Sequence, residues 1–154
     1  MAVEPLRPDL EDAGRAFLAV LDELGLGVQA AAWLYFPNLN DWRFYVATPL
    51  VETMGRKRVY GLIADALEVL GTSDGLTVFD LHLEGTEEGL FTMLSAIIEI
   101  QNGTVKFENC SFNGTPVDAV VYRMTVMAHS PALKYPKKAA KDFERNVEKI
   151  LARK

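Results

Sequence analysis

The residues best suited to chemistry are Asp80, His82 and Glu84, which occupy alternate positions in the segment DLHLE. Side chains two positions apart on a β-strand point to the same face, so an extended segment would align all three. A histidine beside a carboxylate serves as a metal ligand or as half of an acid–base pair. Because the three positions span about 13 Å of strand, one metal ion would contact only two neighbours. The trio therefore suggests a hydrolase-like or metal-dependent enzyme, with Asp80 and His82 as candidate metal ligands.

The element that would position this trio is a strand over residues 77–84, in which apolar and polar residues alternate before Gly85. The same alternation is typical of a strand with one solvent-facing side, where the polar residues need no chemical role. The chain has only one other histidine, His129, to complete a site. Both interpretations of the strand stay open.

A β-hairpin is predicted over residues 31–48, which contain both tryptophans. Two runs of β-favouring residues flank the turn-forming residues 37–41. A five-residue loop would place Phe36 opposite Trp42 and make one face of the hairpin apolar. The other face would then carry Trp33, Tyr35, Arg43 and Tyr45.

This second hairpin face is a candidate binding surface, because aromatic rings mixed with arginine are typical of protein interfaces. If helices cover both sides of the sheet, the same side chains are ordinary core. A related signal comes from a helix predicted to begin at Thr86, whose segment 90–100 is apolar almost all round. Such a helix is either enclosed in the fold or paired with another copy of the chain, so we expect a protein partner, with a homodimer as one form.

Positive charge is concentrated near the C-terminus, although the whole chain has a net charge of −5. Residues 130–154 hold eight Lys or Arg and three Asp or Glu. In a helix predicted over residues 137–152, cations recur at every fourth position: Lys137, Lys141, Arg145, Lys149 and Arg153. This basic ridge could follow a phosphate backbone, which makes nucleic acid a second candidate partner; the alternative is a solvated helix.

Three more cations, Arg56, Lys57 and Arg58, stand at the start of a helix predicted over residues 56–70. Cations there oppose the helix dipole, but together with free backbone N–H groups they could bind an anion or nucleic acid. If the helix begins earlier, at residues 48–49, the same cations lie within it on a solvated face.

Signatures of other functions are missing from the sequence. It has no phosphate loop, dinucleotide-binding glycines, zinc-finger spacing or nucleophile elbow, and we predict no cofactor. The single cysteine, Cys110, is interpreted as a small buried apolar residue. No apolar run approaches the roughly 20 residues of a membrane helix, and the first residues do not resemble a signal peptide. We therefore expect a cytoplasmic protein without a membrane partner.

The 154 residues predict one domain with its own hydrophobic core. A first helix is expected over residues 9–24, and a second hairpin over residues 105–127 around the Asn-Gly turn at 113–114. The element order α-β-β-α-β-α-β-β-α predicts an α+β fold in which four helices pack on a mixed five-stranded sheet with two hairpins.

The sequence thus favours a non-catalytic module for protein–protein interaction or self-association, which uses residues 31–48 and 90–100. The alternatives are a nucleic-acid-associated accessory protein that acts through the basic C-terminal helix, and an enzyme that uses Asp80, His82 and Glu84.

Overall fold

A computed structural model describes residues 4–71, 76–87, 89–96, 98–101, 103–112, 115–125 and 130–153. The helices are α1 Pro8–Leu24, α2 Leu50–Met54, α3 Arg56–Leu70, α4 Gly89–Ser95, α5 Pro131–Lys134 and α6 Pro136–Leu151. The strands are β1 Ala30–Phe36, β2 Asp41–Ala47, β3 Leu81–Glu84, β4 Val105–Phe112 and β5 Thr115–Met124. Within these segments, no helix combines the length and the apolarity needed to cross a membrane.

The strands form one mixed sheet in the order β3-β2-β1-β5-β4. Strands β2 and β3 are parallel, and the other neighbours are antiparallel. The predicted α+β class with a mixed five-stranded sheet and two hairpins is confirmed. The structure adds the short helices α2 and α5 to the four that were expected, and both lie in stretches without an apolar periodicity long enough to indicate a helix.

Helices α1, α3 and α6 pack on one side of the sheet, which we call the first face. The apolar stripes of these helices place Leu21, Ile63 and Phe143 in one hydrophobic cluster with Trp33 and Phe44 of the central strands. All five side chains are almost completely buried. The cluster they belong to is the larger of the two cores.

The opposite side of the sheet, the second face, is covered by α4. Phe91 and Leu94 of this helix pack against Ala32, Tyr45 and Val121 in the second core. Both faces of the sheet therefore carry helices, which is the condition under which the hairpin aromatics become core residues.

The predicted pairing of the first hairpin is wrong by one residue. The turn has four residues, 37–40, so Phe36 lies opposite Asp41 and Trp33 lies opposite Phe44. Asn40 closes the turn with φ at 52°, a left-handed conformation that asparagine tolerates better than most residues. Because side chains alternate along a strand, the shift moves every residue of β2 to the face opposite the one predicted.

Two other elements are shorter than predicted. The strand expected over 77–84 is extended only from Leu81 onward, because residues 78–80 form a 3-10 turn. The helix expected over 86–100 spans only Gly89–Ser95, and Ile100 pairs with Met124 in an isolated β-bridge. The Asn-Gly turn at 113–114 and the predicted end of the last strand at 126–127 lie outside the described residues.

The remaining helices agree with the sequence patterns. Helix α1 begins at Pro8, one residue before the predicted start, and ends at Leu24; Gly25 follows with a left-handed φ of 78°. Helix α3 has the predicted bounds, and Gly55 separates it from α2, so the alternative start at 48–49 is wrong. Helix α6 is displaced by one residue from its predicted position.

Candidate functional site

The predicted trio is divided by the 3-10 turn. Asp80 lies in this turn, where its Oδ2 accepts a hydrogen bond of 2.9 Å from the backbone N–H of Thr77. The aspartate therefore caps a turn and does not share a strand face with His82. In the part of the chain that the structure describes, no three His, Cys, Asp or Glu side chains gather as ligands for one metal ion.

His82 and Glu84 do share a face of β3, as the two-residue spacing predicts. His82 Nε2 lies 3.3 Å from Glu84 Oε2, and the hydroxyl of Tyr45 donates a 2.9 Å hydrogen bond to Glu84 Oε1. Tyr45 is fully buried and Glu84 is 8% exposed, whereas the His82 side chain is 41% exposed. The imidazole also contacts the rings of Tyr45 and Phe36, with centroids 5.9 and 5.1 Å away.

Glu84 and the two rings orient the imidazole of His82 at the protein surface. Chemistry also requires a place for a substrate. Neither His82 nor Glu84 lines the cleft beside the N-terminal segment or the cleft beside Gln29. The Tyr45–Glu84 hydrogen bond makes the cluster a polar link between β2 and β3.

The four residues of the predicted binding surface do not form one surface. Trp33 and Tyr35 lie on the first face, whereas Arg43 and Tyr45 lie on the second, because of the shifted hairpin register. Trp33 is 1% exposed and donates its indole N–H to the backbone oxygen of Leu10 at 2.9 Å. Trp33 and Tyr45 are thus core residues, which leaves only Tyr35 and Arg43 partly accessible.

Two of the three cations at the start of α3 contact other parts of the chain. Arg56 donates from Nε to the backbone oxygen of Leu83 at 2.9 Å, and Arg58 Nε lies 3.9 Å from a carboxylate oxygen of Glu144. Lys57 is exposed to solvent. Two of the three predicted anion-binding side chains therefore contact β3 and α6 of the same chain.

The basic ridge of α6 is solvent-exposed along its length. Lys137, Lys141, Arg145, Lys149 and Arg153 are all exposed, and Arg145 lies 3.7 Å from the carboxylate of Asp142. Cys110, on β4, is only partly buried and does not fit the small core residue that was predicted.

Comparison of the chain with protein-family models, curated proteins and solved structures gives no match. Half-buried apolar side chains lie on α4 and on the strands beside it, on the second face. We call this set the apolar rim; it consists of Phe36, Leu90, Met93 and Phe107.

A cleft of about 370 Å³ lies on the first face between the N-terminal segment and β4. Its polar groups are largely paired with one another. Lys106 forms a 2.9 Å ion pair with Glu11, and Asp118 accepts a hydrogen bond from the backbone N–H of Asn109. Trp42 also contributes to the wall and donates its indole N–H to the backbone oxygen of Glu4.

A second cleft, of about 390 Å³, lies at the end of the sheet where β1 begins. Gln29 lines it, 1% exposed, and its Nε2 has no hydrogen-bond partner among the described residues. Gln29 could not be singled out from the sequence, because a single glutamine before a strand forms no pattern. Gln29 stands out only in the structure, where its burial and the lack of a described hydrogen-bond partner for Nε2 occur together.

Proposed function

We propose that the chain is a non-catalytic protein-binding module whose contact surface is the second face around α4. The observation that carries this proposal is the apolar rim. Helix α4 has only two turns, and four large apolar side chains stay half-buried there: Leu90 and Met93 on the helix, and Phe36 and Phe107 on the strands.

The chemistry of the rim fits a protein partner. Well-packed protein interfaces bury aromatic side chains and methionine at their centre, and the rim supplies Phe36, Phe107 and Met93. Met93 also has a flexible side chain that adapts to different partner surfaces. The partly exposed His82 lies against Phe36 and adds a polar group beside the apolar area.

A second copy of the chain would satisfy the same chemistry. In a two-fold arrangement each copy presents the same patch to the other, so a single apolar rim is enough for both sides of the interface. Self-association is therefore the first form of binding to test, and a different protein with an apolar contact surface is the other form.

Sedimentation velocity over a wide range of concentrations tests the proposal, with Met93→Glu as the disruptive variant. We expect the unmodified protein to form dimers at high concentration and Met93→Glu to remain monomeric, because a buried charge without a partner opposes association. Leu70→Glu is the matched control, since Leu70 is 40% exposed at the end of α3 and lies away from the rim. Circular dichroism melting verifies that both variants fold.

If the unmodified protein is monomeric, pull-downs should recover a partner that Met93→Glu loses and Leu70→Glu retains. A strictly monomeric protein that recovers no such partner contradicts the proposal. Equal effects of the two substitutions contradict the assignment to the second face.

Nucleic-acid association through α6 is a second candidate function, favoured by the five exposed cations of the basic ridge. Contacts with several phosphates would make binding fall steeply with salt. A triple charge reversal, Lys141→Glu with Arg145→Glu and Lys149→Glu, should abolish binding to mixed-sequence DNA or RNA. The control reverses three exposed cations outside α6 and outside the start of α3, namely Arg7, Arg15 and Lys106. Absence of binding by the unmodified protein at low salt ends this candidate.

A further inference from the structure

The wall of the cleft beside Gln29 contains a buried polar group that has no hydrogen-bond partner among the described residues. Gln29 is held firmly, since its backbone N–H donates to Ala47 and its backbone oxygen accepts from Thr125. The side chain is 1% exposed, and its Nε2 has no hydrogen-bond partner among the described residues. A buried donor without a partner destabilises a fold, so a bound group that supplies an acceptor would be favoured there.

The size of the cleft fits a small molecule. Its volume of about 390 Å³ is at the lower end of the range of roughly 300–1,000 Å³ found for ligand pockets. The ring of Phe91 and the side chain of Leu133 supply apolar walls, and Leu133 is 40% exposed at the mouth. A compact apolar group would pack between them.

The hydroxyl groups of the cleft act as acceptors. Thr86 donates its hydroxyl proton to Glu52 Oε1 at 3.2 Å, and Thr92 donates its own to the backbone oxygen of Gly89 at 2.9 Å. The lone pairs of both oxygens remain able to accept an N–H group. The cleft thus offers an N–H donor from Gln29 and hydroxyl acceptors from the threonines.

The electrostatics of the cleft favour a neutral ligand. All the described side chains that line it are uncharged, and the carboxylate of Glu52 lies just behind Thr86. A negative charge in the cleft would be repelled by Glu52 and would meet no cation in the described lining.

We infer that this cleft binds a small neutral molecule that carries a primary carboxamide on a compact apolar body. The oxygen of the ligand carboxamide accepts a hydrogen bond from Gln29 Nε2. The N–H groups of the ligand donate to the hydroxyls of Thr86 and Thr92. A carboxamide is also complementary to the Gln29 side chain itself, because each group has one acceptor oxygen and an N–H donor. This site is distinct from the apolar rim and does not depend on the protein-binding proposal.

Benzamide is a suitable probe, with benzoate and toluene as matched ligands that change only the polar group. Binding is followed through the side-chain amide resonances of Gln29 in ¹H–¹⁵N spectra. We expect a saturable shift with benzamide. The affinity for toluene, which lacks the hydrogen-bonding group, should be about threefold to tenfold weaker. Benzoate should be weaker still because of Glu52.

Gln29→Met is the decisive variant, since it keeps the length of the side chain and removes its polar atoms. We expect the variant to be at least as stable as the unmodified protein, because it eliminates an unsatisfied buried donor, and to lose the preference for benzamide over toluene. Leu133→Ala should weaken both ligands, whereas Leu39→Ala, an exposed control in the first hairpin turn, should change neither.

Three results would overturn the inference. The first is the absence of a saturable shift with benzamide. The second is equal affinity for benzamide and toluene in the unmodified protein. The third is a crystal structure grown with benzamide in which only an ordered water contacts Gln29 Nε2.

Discussion

The hydroxyl of Tyr45, at the centre of the second core, donates a 2.9 Å hydrogen bond to Glu84 on the neighbouring strand. This bond joins β2 to β3, the edge strand of the sheet, and provides a polar partner for a carboxyl group that is 8% exposed. A buried polar group that loses its partner retains the full cost of its desolvation. The pair is therefore a structural link whose strength is measurable.

Replacing Tyr45 with Phe should lower the free energy of unfolding by about 1–3 kcal/mol, because Glu84 loses a donor in a buried position. Urea denaturation measures the loss. Tyr135→Phe, at a residue that is 56% exposed, is the control and should change stability by less than about 0.5 kcal/mol. Equal stability of the two variants would show that the Tyr45–Glu84 bond contributes nothing net.

Alkaline pH should destabilise the fold through Tyr122. Burial raises the pKa of Tyr122 well above the ordinary tyrosine value of about 10, and the opposing effect of the Arg15 guanidinium, 5.7 Å from the ring centre, is smaller. Between the unfolded and the folded pKa, the unfolded chain loses the phenolic proton while the folded chain keeps it. The stability is thus fully present below about pH 10 and falls above it, by at most about 1.4 kcal/mol per pH unit from this group.

Thermal melts between about pH 9 and 11 measure this fall, and Tyr122→Phe isolates the contribution of one residue. The variant should lose some stability at every pH, because the Tyr122 hydroxyl donates to the backbone oxygen of Glu11 at 2.6 Å. Its melting temperature should decline less steeply with pH than that of the unmodified protein. Parallel slopes would contradict the assignment.

Two side chains bond the outward-facing backbone groups of the edge strand β3: Arg56 donates to the Leu83 oxygen, and Tyr60 makes two bonds. The Tyr60 hydroxyl donates to the Leu81 oxygen at 2.8 Å and accepts from the Leu83 N–H at 2.9 Å. Unpaired edge groups are open to pairing with other chains, and Tyr60 occupies them instead. Tyr60→Phe should therefore accelerate amide exchange at Leu83.

In the same exchange experiment, the amide of Val46 in β2 is the internal control, because this strand lies between two neighbours. We expect its protection to change only as far as global stability changes. Uniform acceleration at both amides would mean that Tyr60 stabilises the whole fold and has no special role at the edge.

The fold class could be predicted from the sequence because periodicity marks most of its elements. The hairpin register could not, since a four-residue and a five-residue turn are equally compatible with residues 37–41. Both faces of the hairpin also carry apolar residues, so the sequence shows no solvent-facing side that would fix the register. The one-residue error assigned Trp33 and Tyr45 to a common surface, although the structure buries them on opposite faces.

The length of the short helix α4 could not be predicted, for a different reason. A run that is apolar all round does not distinguish a helix from a buried extended segment, so the helix was predicted to continue to Ile100. The structure ends the helix at Ser95 and uses Ile100 in a bridge to Met124. The Gln29 cleft was not predictable for a related reason, because its residues come from four separate segments of the chain.

Two glycine-to-alanine substitutions in helices should have opposite effects on stability. In an exposed helix, alanine is favoured over glycine by up to about 1 kcal/mol. A Cβ atom at Gly61, within α3, would have no neighbouring atom within 4 Å, so Gly61→Ala should raise the free energy of unfolding by about that amount.

A Cβ atom at Gly14, within α1, would lie 2.6 Å from Trp33 Nε1 and 2.8 Å from the Tyr122 hydroxyl oxygen. Both polar atoms are already fixed by hydrogen bonds to the backbone of α1, at Leu10 and Glu11, so neither ring is free to withdraw. Gly14→Ala should therefore lower stability by about 1–3 kcal/mol despite its better helix propensity. Urea denaturation of both variants measures the contrast, and a Gly14→Ala protein as stable as Gly61→Ala would refute the close packing of α1 on Trp33.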